Sequence, residues 1–490
     1  MLIILMMLIS GALLALSYPY ADIYLLAWFM PAILIWRISK CTLRMSITCG
    51  LVFGTGFFIT LLYWIGIFGM FPLVALAIYQ GIFIALFAFI VKMYFSDNSR
   101  WQRLIIIPSL WVSIEWLRSL GMFGFTWGDL GYSQYKVIPL IQMASVTGIW
   151  GISFVIMLFS TSLADLITDY QFEPKRKYAL TRLSSTVLLI AILIFYGIVY
   201  SRNPIGSGQT ITAAIIQGNI DQDADEDDIY IDKSWSEYST MSIDAGRQGA
   251  DIIIWPETVA PGSMADSDTR GKVQKIASDA GADIIAGVWD RDKAGRVFNS
   301  AFLVSSDGEI LGKYHKCRLV PFGEFVPARK YLPFLERYHV TPYDSSPGSC
   351  PGVLDNGKVK YGMGICFESI FPNILRNTVR SKAEILCVIT NDCWFDETPA
   401  AKQHMAISVL RAVENRRYLL RGAATGISCI IDPHGRIINQ SHVMKRTIVS
   451  GRVSPINDLT IYSRFGDWFV YLCIAITLTS LLIGRRKNDI

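Results

Sequence analysis

Charge is what this sequence lacks most. Only 17% of its 490 residues are Asp, Glu, Lys or Arg, against about 25% in an ordinary soluble protein. The net charge of +5 is too small and too dispersed to argue for nucleic acid. There is no phosphate-cradling glycine loop and no zinc-type spacing of Cys and His, so neither nucleotide nor metal is called for. The five histidines are scattered, and no internal repeat or low-complexity tract stands out. The first apolar run has neither a basic leader nor a small-residue cleavage site, so it reads as a retained helix rather than a signal peptide. What the chain has in excess is apolar surface: 52% of its residues are hydrophobic, and its mean hydropathy is +0.38. This is the composition of a membrane protein with a folded extramembrane part.

Seven apolar runs lie near residues 2–17, 21–36, 46–67, 72–95, 103–117, 138–164 and 184–200, and an eighth lies near 467–484. A bilayer takes about 20 apolar residues to cross, and the second and fifth runs fall short of that. Basic residues follow every even-numbered run: Arg37, Lys40 and Arg44; Arg100 and Arg103; Lys175, Arg176 and Lys177; Arg485, Arg486 and Lys487. By the positive-inside rule these loops are cytoplasmic. The expectation is eight spans with both termini inside and the segment between the seventh and eighth outside. Glu115 and Arg118 sit at the end of the fifth run, where pairing or an interfacial depth would lower their cost. The stretch from Met122 to Tyr132 is aromatic and glycine-rich. It reads either as an interfacial aromatic belt or as a lipid-contacting loop.

From about 208 to 460 the character changes to β-branched runs alternating with amphipathic stretches, the pattern of an α/β domain. Strands are expected at Ile211–Gly218, Asp251–Trp255, Asp283–Val288, Val297–Val304, Glu309–His315, Val359–Ile365, Glu384–Ile389 and Ile427–Ile431. Helices are expected at Asp232–Arg247, Thr269–Ala280 and Ala401–Leu420, with a solvated loop at Asp221–Asp228. The expected domains are therefore 1–205 in the membrane, 206–460 outside, and 461–490 as a last span with a short basic tail. About 250 residues suffice for one buried core.

The chemistry gathers at strand ends, where open α/β sheets place reactive groups. Gly362-Met363-Gly364-Ile365-Cys366-Phe367-Glu368 ends a strand in a cysteine, with a carboxylate two residues on. The glycines leave room for close packing and unusual dihedrals. A lone cysteine is more often a small buried hydrophobe than a nucleophile. Two further strand ends raise the case. Asp251-Ile-Ile-Ile-Trp255-Pro256-Glu257 is a buried-strand pattern ending in a glutamate. Lys313 and Lys316 follow another strand, and the residues alone do not choose between them. Glu324 stands in an apolar Pro-Phe-Gly setting, unusual for a merely solvated charge.

These motifs, in this order, resemble the nitrilase or carbon–nitrogen hydrolase superfamily: Glu in Trp-Pro-Glu, Lys eight residues before the Glu of Pro-Phe-Gly-Glu, and Cys in Cys-Phe-Glu. With the membrane segments around them, the whole chain resembles the apolipoprotein N-acyltransferase family. Supporting matches are Glu115-Trp116-Leu117-Arg118, Gly131-Tyr132-Ser133-Gln134, Gln217-Gly218-Asn219-Ile220, Asn299-Ser300, Asn391-Asp392-Cys393-Trp394-Phe395 and Gln403-His404.

The resemblance implies an α-β-β-α sandwich beside a multi-pass helical membrane domain, and it assigns roles. Cys366 would be the nucleophile, Glu257 the general base and Lys316, rather than Lys313, the oxyanion-stabilising cation. Glu324 and Glu368 would be supporting carboxylates. Phe322, Phe367, Trp394 and Trp127 would line the substrate site. His315 and His404 read as structural. The implied reaction is ping-pong. A fatty-acyl chain passes from a glycerophospholipid to Cys366, and then to the α-amino group of an S-diacylglyceryl cysteine at a lipoprotein N-terminus. A thioester suits this, because it splits one hard transfer into two easier ones. The resemblance also implies a monomer in the cytoplasmic membrane, with no cofactor and no nucleic-acid partner.

The sequence departs from the family pattern at Phe367, often a tyrosine, and at Asp396, Ala400, Ala401 and Ala424. These departures bear on substrate preference and rate more than on reaction type. Cys317, Cys350, Cys366, Cys387, Cys393 and Cys429 lie in the outward segment, where an oxidising compartment permits a disulfide whose connectivity sequence does not reveal. Two other readings are a membrane-tethered amidase acting on a small amide and a non-catalytic scaffold.

Overall fold

The computed structural model describes residues 1–95, 99–203, 205–206, 208–220, 228–331, 341, 343–395 and 397–488, with only the helical backbone described at 228–230 and 484–488. The chain forms two compact units, Met1–Asn203 with Asp467–Ile490, and Pro204–Gly466.

The first unit is helical. Among the described residues, four helices are long and apolar enough to cross a membrane: Leu43–Leu61, Met70–Phe95, Ile149–Asp169 and Glu173–Tyr200. The other apolar runs also form helices, but shorter or more charged ones. Leu2–Ala15 and Trp468–Ile483 are apolar and short, Leu26–Lys40 carries an internal Pro31, and Arg100–Arg118 includes charges that the unit must pair. The sixth run, read as continuous from 138, starts as two short helical pieces, Ile138–Ile141 and Ala144–Thr147, before Ile149–Asp169.

The charges inside this unit are paired, as an apolar surrounding requires. Arg100 and Arg103 reach Asp165 at 3.3 and 3.5 Å, and Arg100 and Arg182 reach Asp169 at 3.1 and 3.3 Å. Arg118 pairs with Asp129. Glu115 accepts hydrogen bonds from Trp111 Nε1 at 2.8 Å and from the Leu130 backbone N–H at 2.9 Å. The two charges ending Arg100–Arg118 thus anchor the aromatic loop that follows. Trp127 in that loop is buried, stacked on Phe125 and tilted against Trp64 at 5.3 Å, while Met122 and Phe123 are about half exposed.

Among its described residues the second unit has thirteen strands: β1 (Ile211–Gln217), β2 (Ile252–Ile254), β3 (Ala260–Ser263), β4 (Asp283–Arg291), β5 (Val297–Val304), β6 (Ile310–His315), β7 (Val353–Asp355), β8 (Lys360–Ile365), β9 (Ile385–Thr390), β10 (Leu419–Ala423), β11 (Cys429–Ile431), β12 (Ile437–Gln440) and β13 (Thr447–Val453). They make two sheets, one ordered β13-β1-β2-β4-β5-β6 with β3 beside β4, the other β12-β11-β10-β9-β8-β7. The middle pairs, β1 with β2, β2 with β4, β8 with β9 and β9 with β10, are parallel.

Strand alternation assigns each residue to a layer. Ala213, Ile215, Ile252, Ile254 and Ile285 face Tyr361, Met363, Ile365, Ile385 and Ile389 in a core between the sheets. Ala214, Ile216, Ile253, Ile284 and Ala286 point the other way, into a core with Tyr238, Met241 and Ala245 of the helix Asp228–Arg247 and Val273, Ile276 and Ala277 of Ser267–Ala280. Both faces are covered, so these strands read in sequence as unbroken apolar runs. The result is the expected α-β-β-α sandwich.

Several expectations need correction. The helix expected at Ala401–Leu420 runs from Ala400 to Asn415, ends at Arg416 in a left-handed conformation (φ 51°), and gives way to β10. β3, β7, β10, β12 and β13 and the helix Pro372–Arg380 were not foreseen. In the acidic stretch, residues 221–227 lie outside the described residues and Asp228 opens a helix rather than belonging to a loop. Gly362 and Gly364 do allow close packing, since an added Cβ would sit 2.3 Å from Thr378 Oγ1 and 2.9 Å from Leu375 Cδ2 respectively. Neither has an unusual dihedral; the residue with positive φ is Cys366.

Candidate active site

Three strand ends in the second unit deliver the chemistry. Glu257 follows β2 after Trp255 and Pro256. The backbone of this turn lies so close to β4 that a Cβ on Gly287 would meet Pro256 O at 1.9 Å, so only glycine fits there. Lys316 follows β6, and Cys366 follows β8 at a turn with φ of 50°. A left-handed conformation at a non-glycine residue costs roughly 1–3 kcal/mol and persists only where its surroundings enforce it.

Lys316 is 1% exposed, and its ammonium group lies 3.0 Å from Glu257 Oε1 and 2.9 Å from Glu324 Oε1. Asn299 Nδ2 donates to the same two oxygens, at 2.6 and 3.1 Å. Glu257 Oε2 accepts the Asn391 N–H at 2.7 Å, and Glu324 Oε2 accepts the Val320 N–H at 2.8 Å. Each carboxylate is thereby aimed by a backbone amide and a side-chain amide. Burial alone would depress the lysine, but Glu257 and Glu324 overcome it and hold the ammonium form well above the ordinary lysine range. Lys313 is half exposed and pairs with Asp290 at 2.8 Å, outside this group.

Cys366 is electrostatically coupled to both Glu257 and Lys316. Its thiol is pushed up by burial first and by the negative charge of Glu257 second, with Lys316 opposing. At neutral pH the thiol keeps its proton until a base removes it. The residues sharing this arrangement are therefore a protonated thiol, a carboxylate fixed by three donors, and a permanently charged ammonium group. Together they suit nucleophilic attack on a carbonyl, with a cation to face the developing oxyanion.

Glu368 is fully buried and serves a different end. It accepts from Tyr314 Oη at 2.8 Å, from the Cys317 and Arg318 amides at 2.6 and 3.0 Å, and from the Ile365 amide at 2.7 Å. Burial raises its carboxyl pKa, and these donors oppose that. It ties the residues after Lys316 to the residue before Cys366. A disulfide between Cys317 and Cys350 fastens the same segment covalently; Cys366, Cys387, Cys393 and Cys429 are not disulfide-bonded.

Of the expected substrate-lining residues, Phe322 lies in the Lys316–Glu324 segment at φ 68° and is partly exposed. Phe367 follows Cys366 and meets Phe371 edge-on at 5.1 Å, and Trp394 is 62% exposed. Trp127 belongs to the helical unit and is buried there. Sequence reasoning gave no role to Asn299 or to the Asn391 amide. The only signal for them was their presence in short motifs.

Behind the site, Asp392 accepts from Arg421 Nη2 at 2.8 Å and Thr390 Oγ1 at 2.8 Å, and meets His404 Nδ1 at 3.2 Å. Burial opposes its charge, yet Arg421 and His404 hold its pKa down to about 2. An unfolded aspartate titrates at about 3.9. The stabilisation of about 2–3 kcal/mol is therefore present above that pH and lost as pH falls through about 2. Denaturant unfolding measured from pH 5 to pH 2 should show this loss, and Asp392→Asn should flatten that part of the profile.

Comparison with known proteins gives the family. The carbon–nitrogen hydrolase family matches residues 212–455, and the apolipoprotein N-acyltransferase N-terminal domain matches residues 10–162. A curated apolipoprotein N-acyltransferase from Geobacter metallireducens is 35% identical over 99% of this chain and 96% of its own length. The chain belongs to the apolipoprotein N-acyltransferase family. This member is thus an acyltransferase of the carbon–nitrogen hydrolase superfamily, with a helical unit as well as its α/β unit. The member from Rickettsia prowazekii is 31% identical over 87% of each chain, and that from Haemophilus ducreyi 27% identical over 98% of this one and 96% of its own. Among solved structures, an amidase from Nesterenkonia covers 55% of this chain and 98% of its own at 20% identity and a TM-score of 0.40.

Proposed function

We propose that the protein moves a fatty-acyl chain from a membrane glycerophospholipid, through a thioester on Cys366, to the α-amino group of an S-diacylglyceryl cysteine at a lipoprotein N-terminus. The observation that carries this reading is the buried Lys316 held between Glu257 and Glu324 and coupled to Cys366 at its left-handed turn. In the first half, Glu257 takes the thiol proton as sulfur attacks the ester carbonyl, and Lys316 faces the oxyanion. The tetrahedral intermediate collapses by breaking the carbon–oxygen bond, and Glu257 returns the proton to the departing lysophospholipid alkoxide. In the second half, the acceptor amine attacks the thioester and gives its proton to Glu257. The thiolate leaves and is reprotonated, and an amide remains.

The apolar helices support the membrane half of this reading, since both substrates reside in the bilayer, whereas a small soluble amide would need no such helices. We read the chain as eight spans in the cytoplasmic membrane with both termini inside. The region 206–460 is then the catalytic domain on the outer side, and the enzyme works as a monomer. The basic residues after each even-numbered apolar run support this orientation.

Intact-protein mass spectrometry of the detergent-purified protein with phospholipid alone is the test. A mass gain of one acyl group, labile to neutral hydroxylamine and missing from Cys366→Ser, is the expected result. Well-folded wild-type protein that gains no adduct from any phospholipid would refute the proposal.

A further inference from the structure

The left-handed turn at Cys366 needs an enforcer, and a buried polar chain supplies one. Ser369 Oγ donates to the Cys366 carbonyl at 2.8 Å and lies 2.8 Å from His404 Nε2, which is itself 3.3 Å from that carbonyl. His404, 1% exposed on the helix Ala400–Asn415, meets Asp392 through its other ring nitrogen. Asp392 is fixed in turn by Arg421 and Thr390. The residue before it, Asn391, donates its backbone N–H to Glu257 Oε2. One continuous path therefore runs from the backbone of the thiol-bearing residue to the Glu257 carboxylate: Cys366, Ser369, His404, Asp392, Asn391, Glu257.

We propose that His404 and Ser369 are positioning residues that set the Cys366 thiol relative to Glu257 by locking the Cys366 carbonyl to the Asn391–Asp392 segment. The inference rests on Cys366 being the acyl carrier, and it gives His404 a task beyond filling the core. Asp392 is ionised and accepts only, so Nδ1 of His404 carries the proton toward it. Burial and Arg421 keep the ring from taking a second proton. Nε2 is then an acceptor. The single Ser369 proton then lies between two acceptors at the same distance, Nε2 and the Cys366 carbonyl, and bridges the ring to that carbonyl. Neither side chain touches substrate. Their effect passes through the nucleophile's backbone, and an offset of an ångström there is worth about 100-fold in rate.

The full-length protein in detergent tests this with two readouts. One is the rate of acyl-adduct formation against phospholipid concentration; the other is the rate of iodoacetamide alkylation at Cys366, read on its own peptide by mass spectrometry. Ser369→Ala and His404→Gln should each lower the maximal acylation rate about 10- to 100-fold with the half-saturating phospholipid concentration unchanged, and should shift the Cys366 alkylation rate. Ser369→Thr, which keeps the hydroxyl, should recover most of what Ser369→Ala loses. The double variant should be no slower than the slower single one, since both act through one path.

Wild-type acylation and alkylation rates in Ser369→Ala would overturn the proposal. So would losses that follow only lowered thermal stability, or that multiply in the double variant. If the wild type forms no adduct while Cys366 alkylation still responds to Ser369→Ala, the acyl-carrier reading falls and the positioning role stands. If neither responds, both fall.

Discussion

Replacing Lys316 by methionine should cost both activity and stability, and the two losses have one cause. In the native site the ammonium group lies within 3.0 Å of one oxygen from each of Glu257 and Glu324. Methionine fills a similar volume but leaves those oxygens facing each other, with only Asn299 between them. Removing one partner of a buried ion pair costs about 3–5 kcal/mol, because the remaining charge stays desolvated. One of the two carboxylates should then take up a proton at a higher pH than a lone carboxylate would. The variant should accordingly gain stability as pH falls from 8 toward 5. The wild-type lysine contributes stability in full below the unfolded lysine pKa of about 10.4 and loses it only as pH rises through its raised native value, so wild type should show no such gain. Acyl-adduct formation should fall about 10²- to 10³-fold, the usual cost of losing one oxyanion donor. Denaturant unfolding across pH, alongside the mass-spectrometric assay, checks both halves. A Lys316→Met protein as stable as wild type at pH 8 would contradict the buried-pair account.

Glu257→Gln should give the opposite signature at the thiol. Glu257 is one of the groups raising the Cys366 pKa, while Lys316 lowers it. Taking away the negative charge and keeping the lysine should bring the thiol pKa down, so alkylation of Cys366 should begin at lower pH than in wild type. Acyl transfer should nonetheless drop about 10²- to 10⁴-fold, because the group proposed to accept and return the proton is gone. A more reactive thiol in a less active enzyme separates a proton-transfer role from simple charge effects. The amide also fits poorly: Asn299, Lys316 and Asn391 all donate to Glu257, so one end of a glutamine must present N–H to N–H. Parallel loss of alkylation and acyl transfer would argue that Glu257 only holds the site together.

How much of this was legible depended on whether a signal was local. β1, β2 and β4 are covered on both faces, so they stand out as apolar runs and were found. The end of β2, Trp-Pro-Glu, stood out with it, as did Cys-Phe-Glu at the end of β8. β13 was missed because its stability comes from pairing with β1 more than 200 residues earlier, and its own residues, Thr447-Ile-Val-Ser-Gly-Arg-Val453, alternate weakly. The end of the helix Ala400–Asn415 was missed because its left-handed terminal residue is Arg416, where glycine would have announced the stop. The choice between Lys313 and Lys316 lay beyond composition. In the structure Lys316 is the one buried between carboxylates. His404 looked like core because a lone histidine on an apolar helix face usually is, and nothing nearby in sequence tells that Ser369 and Cys366 lie against it.

The Cys317–Cys350 bond, spanning 33 residues, turns the segment after Lys316 into a covalent loop. Lys316 is the neighbour of one bridge residue, and its backbone carbonyl accepts the Gly348 amide at 2.8 Å, two residues before the other. The chain between therefore hangs as a closed ring from a clasp next to the lysine. A protease cut inside that ring would leave the two fragments joined until a reductant was added.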